Sequence, residues 1–142
     1  MKKIIVLGCG RVGKAMCLDL AKNQIITAAD ISSKNLDSLS SNNNIDTIKF
    51  DISNTKELKK VLIDFDLVVC AVPGFMGYKT LKTIIEEKKD VVDISFFPEN
   101  SLELKELAKE NNVTAIVDAG VAPGLSNLIL GHYNSKHKEN LD

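Results

Sequence analysis

Six short apolar runs, each separated from the next by a stretch with helical or turn-like spacing, limit the folds open to this chain more than any other feature. They are IIVLG (4–8), IITAAD (25–30), IDTIKF (45–50), DLVVCAV (66–72), DVVDIS (90–95) and VTAIVD (113–118). Several are unbroken and rich in Val and Ile, the pattern of strands covered on both faces. Between them Leu58, Val61, Leu62 and Phe65 follow an i, i+3, i+4, i+7 spacing. Leu81, Ile84 and Ile85 repeat its first part, as do Leu104, Leu107 and Ala108, so each set marks one buried helix face. Asn54 with Glu57, and Asn100 with Glu103, are spaced as N-cap pairs, and the polar run 40–44 marks a turn. No internal repeat or low-complexity segment appears beyond that turn. Alternation of this kind predicts right-handed crossovers and an α/β fold: a doubly wound, mostly parallel six-stranded sheet with helices on both faces. A ligand site then belongs at the carboxyl ends of the strands, near the point where strand order reverses.

The first strand runs into Gly8-Cys9-Gly10-Arg11-Val12-Gly13, which satisfies G-x-G-x-x-G in the strand-to-helix context that gives the pattern meaning. Gly8 permits a tight turn, Gly10 lets backbone approach a pyrophosphate, and Gly13 lets the helix pack on the strand. The helix's free N–H groups then face the phosphates. The fold expected is therefore the Rossmann type, and the ligand a dinucleotide.

Asp30 lies 22 positions after Gly8, at the end of the second run, where an acid binds the adenosine ribose; it could also simply start a turn. A 2′-phosphate beside that carboxylate would meet repulsion on the order of 4 kcal/mol at ~4 Å and an effective dielectric of about 20. Only Lys34 stands nearby as a phosphate partner, so NAD is the expected cofactor over NADP. Arg11 is the chain's one arginine; it either contacts an anion or is solvated. Asp51 either sits beside the adenine or begins the next turn, while Ala71, Val72 and Pro73 line the dinucleotide across the switch point.

The totals narrow the functional class. A net charge of −1 gives no reason to expect nucleic acid or an anionic membrane as partner. No apolar stretch approaches the ~20 residues needed to span a bilayer. The apolar run in MKKIIVLGCG is too short for a signal peptide, which needs about 7–15 residues. Cys9, Cys17 and Cys70 form an odd count without metal-like spacing, which fits small buried residues in a reducing cytoplasm, and no metal is expected.

Three segments exceed what generic dinucleotide binding needs: CAVPG (70–74), VVDISFF (91–97) and DAGVAPGLSNLILGH (118–132). Together, and most specifically in the stretch from Asp118 to Asn127, the chain resembles the saccharopine dehydrogenase family, especially its lysine-dehydrogenase-like members. The resemblance implies hydride transfer between a nicotinamide and the carbon of a C–N bond, with lysine, saccharopine or a similar amino acid as substrate. It also implies a dinucleotide-binding domain over 1–131 and a tail, 132–142, leading toward a second domain that supplies most substrate contacts. On its own the chain would be catalytically incomplete. Asp93 and Asp118 are placed to face the nicotinamide, where either binds an amine, relays a proton or merely caps the next turn. Gly120, Pro123, Gly124 and Ser126 shape the loop over the nicotinamide, with Gly120 also a cofactor contact. His132 and His137 carry no catalytic expectation. The surface around 122–129 should be unusually apolar and covered in a homodimer. The competing class is an NAD-sensing regulatory domain of a potassium channel or transporter, which shares the glycine loop and the acid but has no evident use for the later loops. A domain whose glycine loop is vestigial is the third reading.

Overall fold

A computed structural model describes residues 2–137 of the 142. Its strands are β1 (Ile4–Leu7), β2 (Ile26–Asp30), β3 (Ile45–Lys49), β4 (Leu67–Cys70), β5 (Asp90–Asp93) and β6 (Ala115–Ile116). Its helices are α1 (Arg11–Leu20), α2 (Ser33–Asp37), α3 (Thr55–Leu62), α4 (Gly74–Glu86), α5 (Lys105–Glu110) and α6 (Leu125–Lys136). Each expected apolar run contains one strand. The sheet order is β3-β2-β1-β4-β5-β6 and every pairing is parallel, so the expected "mostly parallel" sheet is wholly so. Strand order reverses between β1 and β4, which places the switch point directly beyond the glycine loop.

Two cores form because alternate residues of the central strands point to opposite faces. Ile5 and Leu7 of β1 join Leu58 and Leu62 of α3 and Leu81, Ile84 and Ile85 of α4 on one side. Ile4 and Val6 join Cys17 of α1 and Leu36 of α2 on the other. Helices cover both faces, which explains why β1 and β2 are buried throughout without alternation. Residues Leu58 and Leu62 carry the buried stripe of α3, as their spacing predicts; Phe65 is buried just past its end.

Asn54 caps α3 by accepting the Lys56 and Glu57 N–H groups at 3.2 and 3.4 Å. Asn100 accepts only the Leu102 N–H, at 3.1 Å, and opens a 3-10 turn (Ser101–Leu104) before α5 begins. All three cysteines are free and buried. The last helix runs through the expected domain boundary at 131, so His132 continues α6 and does not begin a tail. The remainder of the expected tail, 138–142, lies outside the described residues.

Candidate functional site

The carboxyl ends of the strands open onto a cleft of about 860 Å³, well within the size of small-molecule sites (roughly 300–1,000 Å³). Its floor is the glycine loop. Gly8 has φ +88, and a Cβ there would come within 2.6 Å of the Ala71 carbonyl oxygen. Gly13 has no room for a side chain because the Gly8 carbonyl lies against it, so α1 packs directly on the turn. Gly10 is the opposite case: a Cβ would meet nothing within 4 Å, which leaves bare backbone facing the cleft. Gly10 caps α1 without a side-chain hydrogen bond, so the leading N–H groups of the helix keep their capacity for an anion.

Asp30 stands at the end of β2 and is nearly buried. One carboxylate oxygen accepts the Cys9 N–H at 2.7 Å and the Asn35 amide at 3.1 Å; the other accepts the Ser32 N–H at 2.7 Å. The acid therefore clasps the glycine loop to the end of β2. Asp51, also on the cleft, accepts the Ser53 hydroxyl at 2.7 Å and the Ser53 N–H at 2.9 Å, which hold its carboxyl below its ordinary value. Asp51 begins a turn and also lines the cleft.

Of the expected cofactor contacts, Gly8, Gly10, Arg11, Val12 and Gly13 come together in this cleft with Asp30 and Asp51. Ala71, Val72 and Pro73 form its far wall across the switch point. Gly120 does not reach it. That residue lines a neighbouring cleft of about 520 Å³ together with Asp118, Pro123 and Leu125, and the two clefts meet along Val12, Ile94, Ser95 and Phe96. Gly124 takes φ +128 beside the Asp118 and Gly120 carbonyls, closing the loop that forms this second wall.

Asp93 is the expected catalytic residue that the structure moves. Its exposure is 0%, it lines neither cleft, and it lies beneath them beside the buried Cys70 thiol. One oxygen accepts both the N–H and the hydroxyl of Ser95; the other has no partner. Burial raises its carboxyl above the ordinary value, the Ser95 hydrogen bonds oppose that, and the Asp118 charge adds to it. A carboxyl so enclosed is presented to neither cleft. Asp118 is exposed on the second cleft, as an amine-binding group requires.

Several cleft residues escaped the sequence reading: Ile31, Ser32, Asn35, Ile52, Ser53 and Phe75, and Ile94, Ser95 and Phe96 at the junction. Most of them share a signal. The tripeptide Asp-Ile-Ser occurs at 30–32, 51–53 and 93–95, each time at or just past a strand's carboxyl end. In all three the Asp accepts the Ser N–H, at 2.7, 2.9 and 2.6 Å, and the isoleucine between them faces the cleft. Phe75 and Phe96 stand 87% and 74% exposed at its mouth.

Fold and cleft together define a doubly wound dinucleotide-binding domain. Residues 4–116 match the family described as the saccharopine dehydrogenase NADP binding domain, and the chain belongs to that family. The NADP(+)-dependent, L-glutamate-forming saccharopine dehydrogenase of Saccharomyces cerevisiae is 29% identical over 129 residues, covering 89% of this chain and 29% of that protein. The mitochondrial alpha-aminoadipic semialdehyde synthase of Rattus norvegicus is 25% identical over 141 residues, covering 97% of this chain and 15% of its own length. The apo structure of an L-Glu-forming saccharopine dehydrogenase from Saccharomyces cerevisiae superimposes with a TM-score of 0.85 at 26% identity, over 96% of this chain and 31% of that one. The chain thus spans less than a third of the length of these relatives.

The family overturns one expectation. NADP replaces NAD, since the family is described as NADP-binding and the yeast relative is named for NADP(+). The physical error lies in treating Asp30 as a free carboxylate. Three donors from the loop, Ser32 and Asn35 already occupy it, so its charge is partly compensated and turned inward. Among the described residues no helix is long and apolar enough to cross a membrane.

Proposed function

We propose that this chain binds NADP(H) for an oxidoreductase that acts on the C–N bond of an amino acid, with lysine, saccharopine or a close relative as substrate. The observation that carries the reading is the single cleft that gathers the glycine loop, Asp30 and the backbone of 71–73, in a chain of this family. Held by the glycine loop and the backbone of 71–73, NADP would supply a hydride acceptor for the carbon bearing nitrogen, whose C–N bond would become an imine with release of a proton. The chain's own residues prepare that exchange. The leading N–H groups of α1 hold phosphate, and Val12 and Ile94 form an apolar wall where the two clefts meet. Asp118 offers a carboxylate to a cationic amine in the second cleft. Among the described residues no Lys or Arg lines that second cleft, so a substrate carboxylate takes its cation from outside that lining.

A further substrate domain following α6, a homodimeric assembly and a cytoplasmic setting belong to the same proposal. The family match favours this enzyme reading over the regulatory one. The test is to mix the intact gene product with NADP+ and lysine, then saccharopine, and follow the near-ultraviolet absorbance of reduced nicotinamide. A rise that depends on one amino acid supports the proposal. Tight NADPH binding with no turnover of any amine would leave a binding domain without this chemistry.

A further inference from the structure

We propose that Arg11 reads the 2′-phosphate of NADP(H), making it the residue that sets cofactor preference; the assignment rests on the cleft being the NADP site. Asp30, the residue placed to bind the ribose, is 8% exposed and already accepts three hydrogen bonds. Its lone pairs serve the loop, so discrimination falls to another group. The charge around the cleft identifies it. Among the described residues that line the cleft, Asp30 and Asp51 are the acids and Arg11 is the sole Lys or Arg. Lys34 is exposed on α2 and does not line it.

The clasp between Asp30 and the Cys9 N–H, at 2.7 Å, joins the glycine loop to the end of β2. Arg11, two residues further on, begins α1 and lines the same cleft as Ile31 and Ser32. Its side chain is exposed and forms no ion pair among the described residues. A cation at a helix N-terminus opposes the dipole, so an unligated Arg11 is unfavourable and a dianionic phosphate relieves it. Its planar fork of donors also suits a phosphate monoester better than a lysine's point charge does.

The test is fluorescence titration of the intact gene product and of Arg11→Ala, Arg11→Lys and Lys34→Ala with NADPH and with NADH. Arg11→Ala is expected to lose roughly 10- to 100-fold in NADPH affinity while NADH changes by less than about threefold. Arg11→Lys should recover part of the loss, and Lys34→Ala should change neither ligand. Equal losses on both ligands would move Arg11 to the pyrophosphate and overturn the assignment, as would a loss confined to Lys34→Ala. A parent protein that binds neither ligand would instead overturn the reading of the cleft itself. An unchanged thermal midpoint for Arg11→Ala shows that any loss is local.

Discussion

Asp93 shows how far a residue's role depends on where its strand ends. Sequence spacing brings it to the end of β5, and similar spacing brings Gly8, Gly10, Gly13 and Asp30 to the cleft, because loop geometry fixes their directions within a few bonds. For Asp93 the direction depends on α4. A Cβ on Gly77 would strike Ser95, so the glycine is what lets Ser95 pack inward onto the Asp93 carboxyl. No local pattern encodes that contact between distant segments. The enclosed carboxyl has a thermodynamic consequence. Burial raises its folded-state value above the unfolded one, so the folded protein holds the proton more tightly. Its contribution is then fully present below the unfolded value, near pH 4, and is lost as pH rises through the raised folded value. Asp93→Asn keeps an acceptor for Ser95 and mimics the protonated acid. Relative to the parent, the variant should gain stability from about pH 4 upward, measured as urea midpoints across pH. A constant offset at every pH would show that Asp93 titrates like an exposed carboxyl.

At the scale of elements, helix periods and caps were legible because each depends on residues a turn apart. Asn54 and Asn100 both accept N–H groups as expected, yet they start different structures. Asn54 serves two donors and opens an α-helix whose Leu58 and Leu62 reach the core; Asn100 serves one and opens a 3-10 turn. Asn54→Ala should therefore destabilise the protein by about 1 kcal/mol, with the denaturant slope unchanged. Asn100→Ala should cost less, and Asn54→Asp should be near neutral. Equal losses at both positions would mean that the caps act through something other than their hydrogen bonds. The three Asp-Ile-Ser turns were missed for the reverse reason. A tripeptide has no period, and it acquires meaning only once parallel strands place its three copies along one edge of the sheet.

At the scale of the molecule, α6 breaks the pattern of the other long helices. None of its residues is buried, and Leu125, Leu128, Ile129, Leu130 and Tyr133 are exposed around more than one face. The expected apolar surface over 122–129 is present and extends beyond that range to Tyr133, with Val121 exposed just before it. A helix apolar all round belongs in an interior, and contiguous apolar patches beyond a few hundred Å² mark interaction surfaces. The other described residues supply no cover: Leu125 alone among the exposed residues of α6 lines the second cleft, and the main cleft is lined by described residues no later than Phe96. Association and cofactor binding are therefore separable. Expressed as residues 1–142, the chain should self-associate with rising concentration in sedimentation equilibrium. Leu128→Lys combined with Leu130→Lys should shift it to monomer, since each lysine places a charge where an apolar contact would form. NADPH affinity should stay within about twofold, because neither residue approaches the phosphate-binding loop and 1.4 kcal/mol separates a tenfold change. A parent chain that remains monomeric at every concentration would show that this helix makes no contact between copies, and a variant that loses NADPH would show that α6 supports the cleft after all.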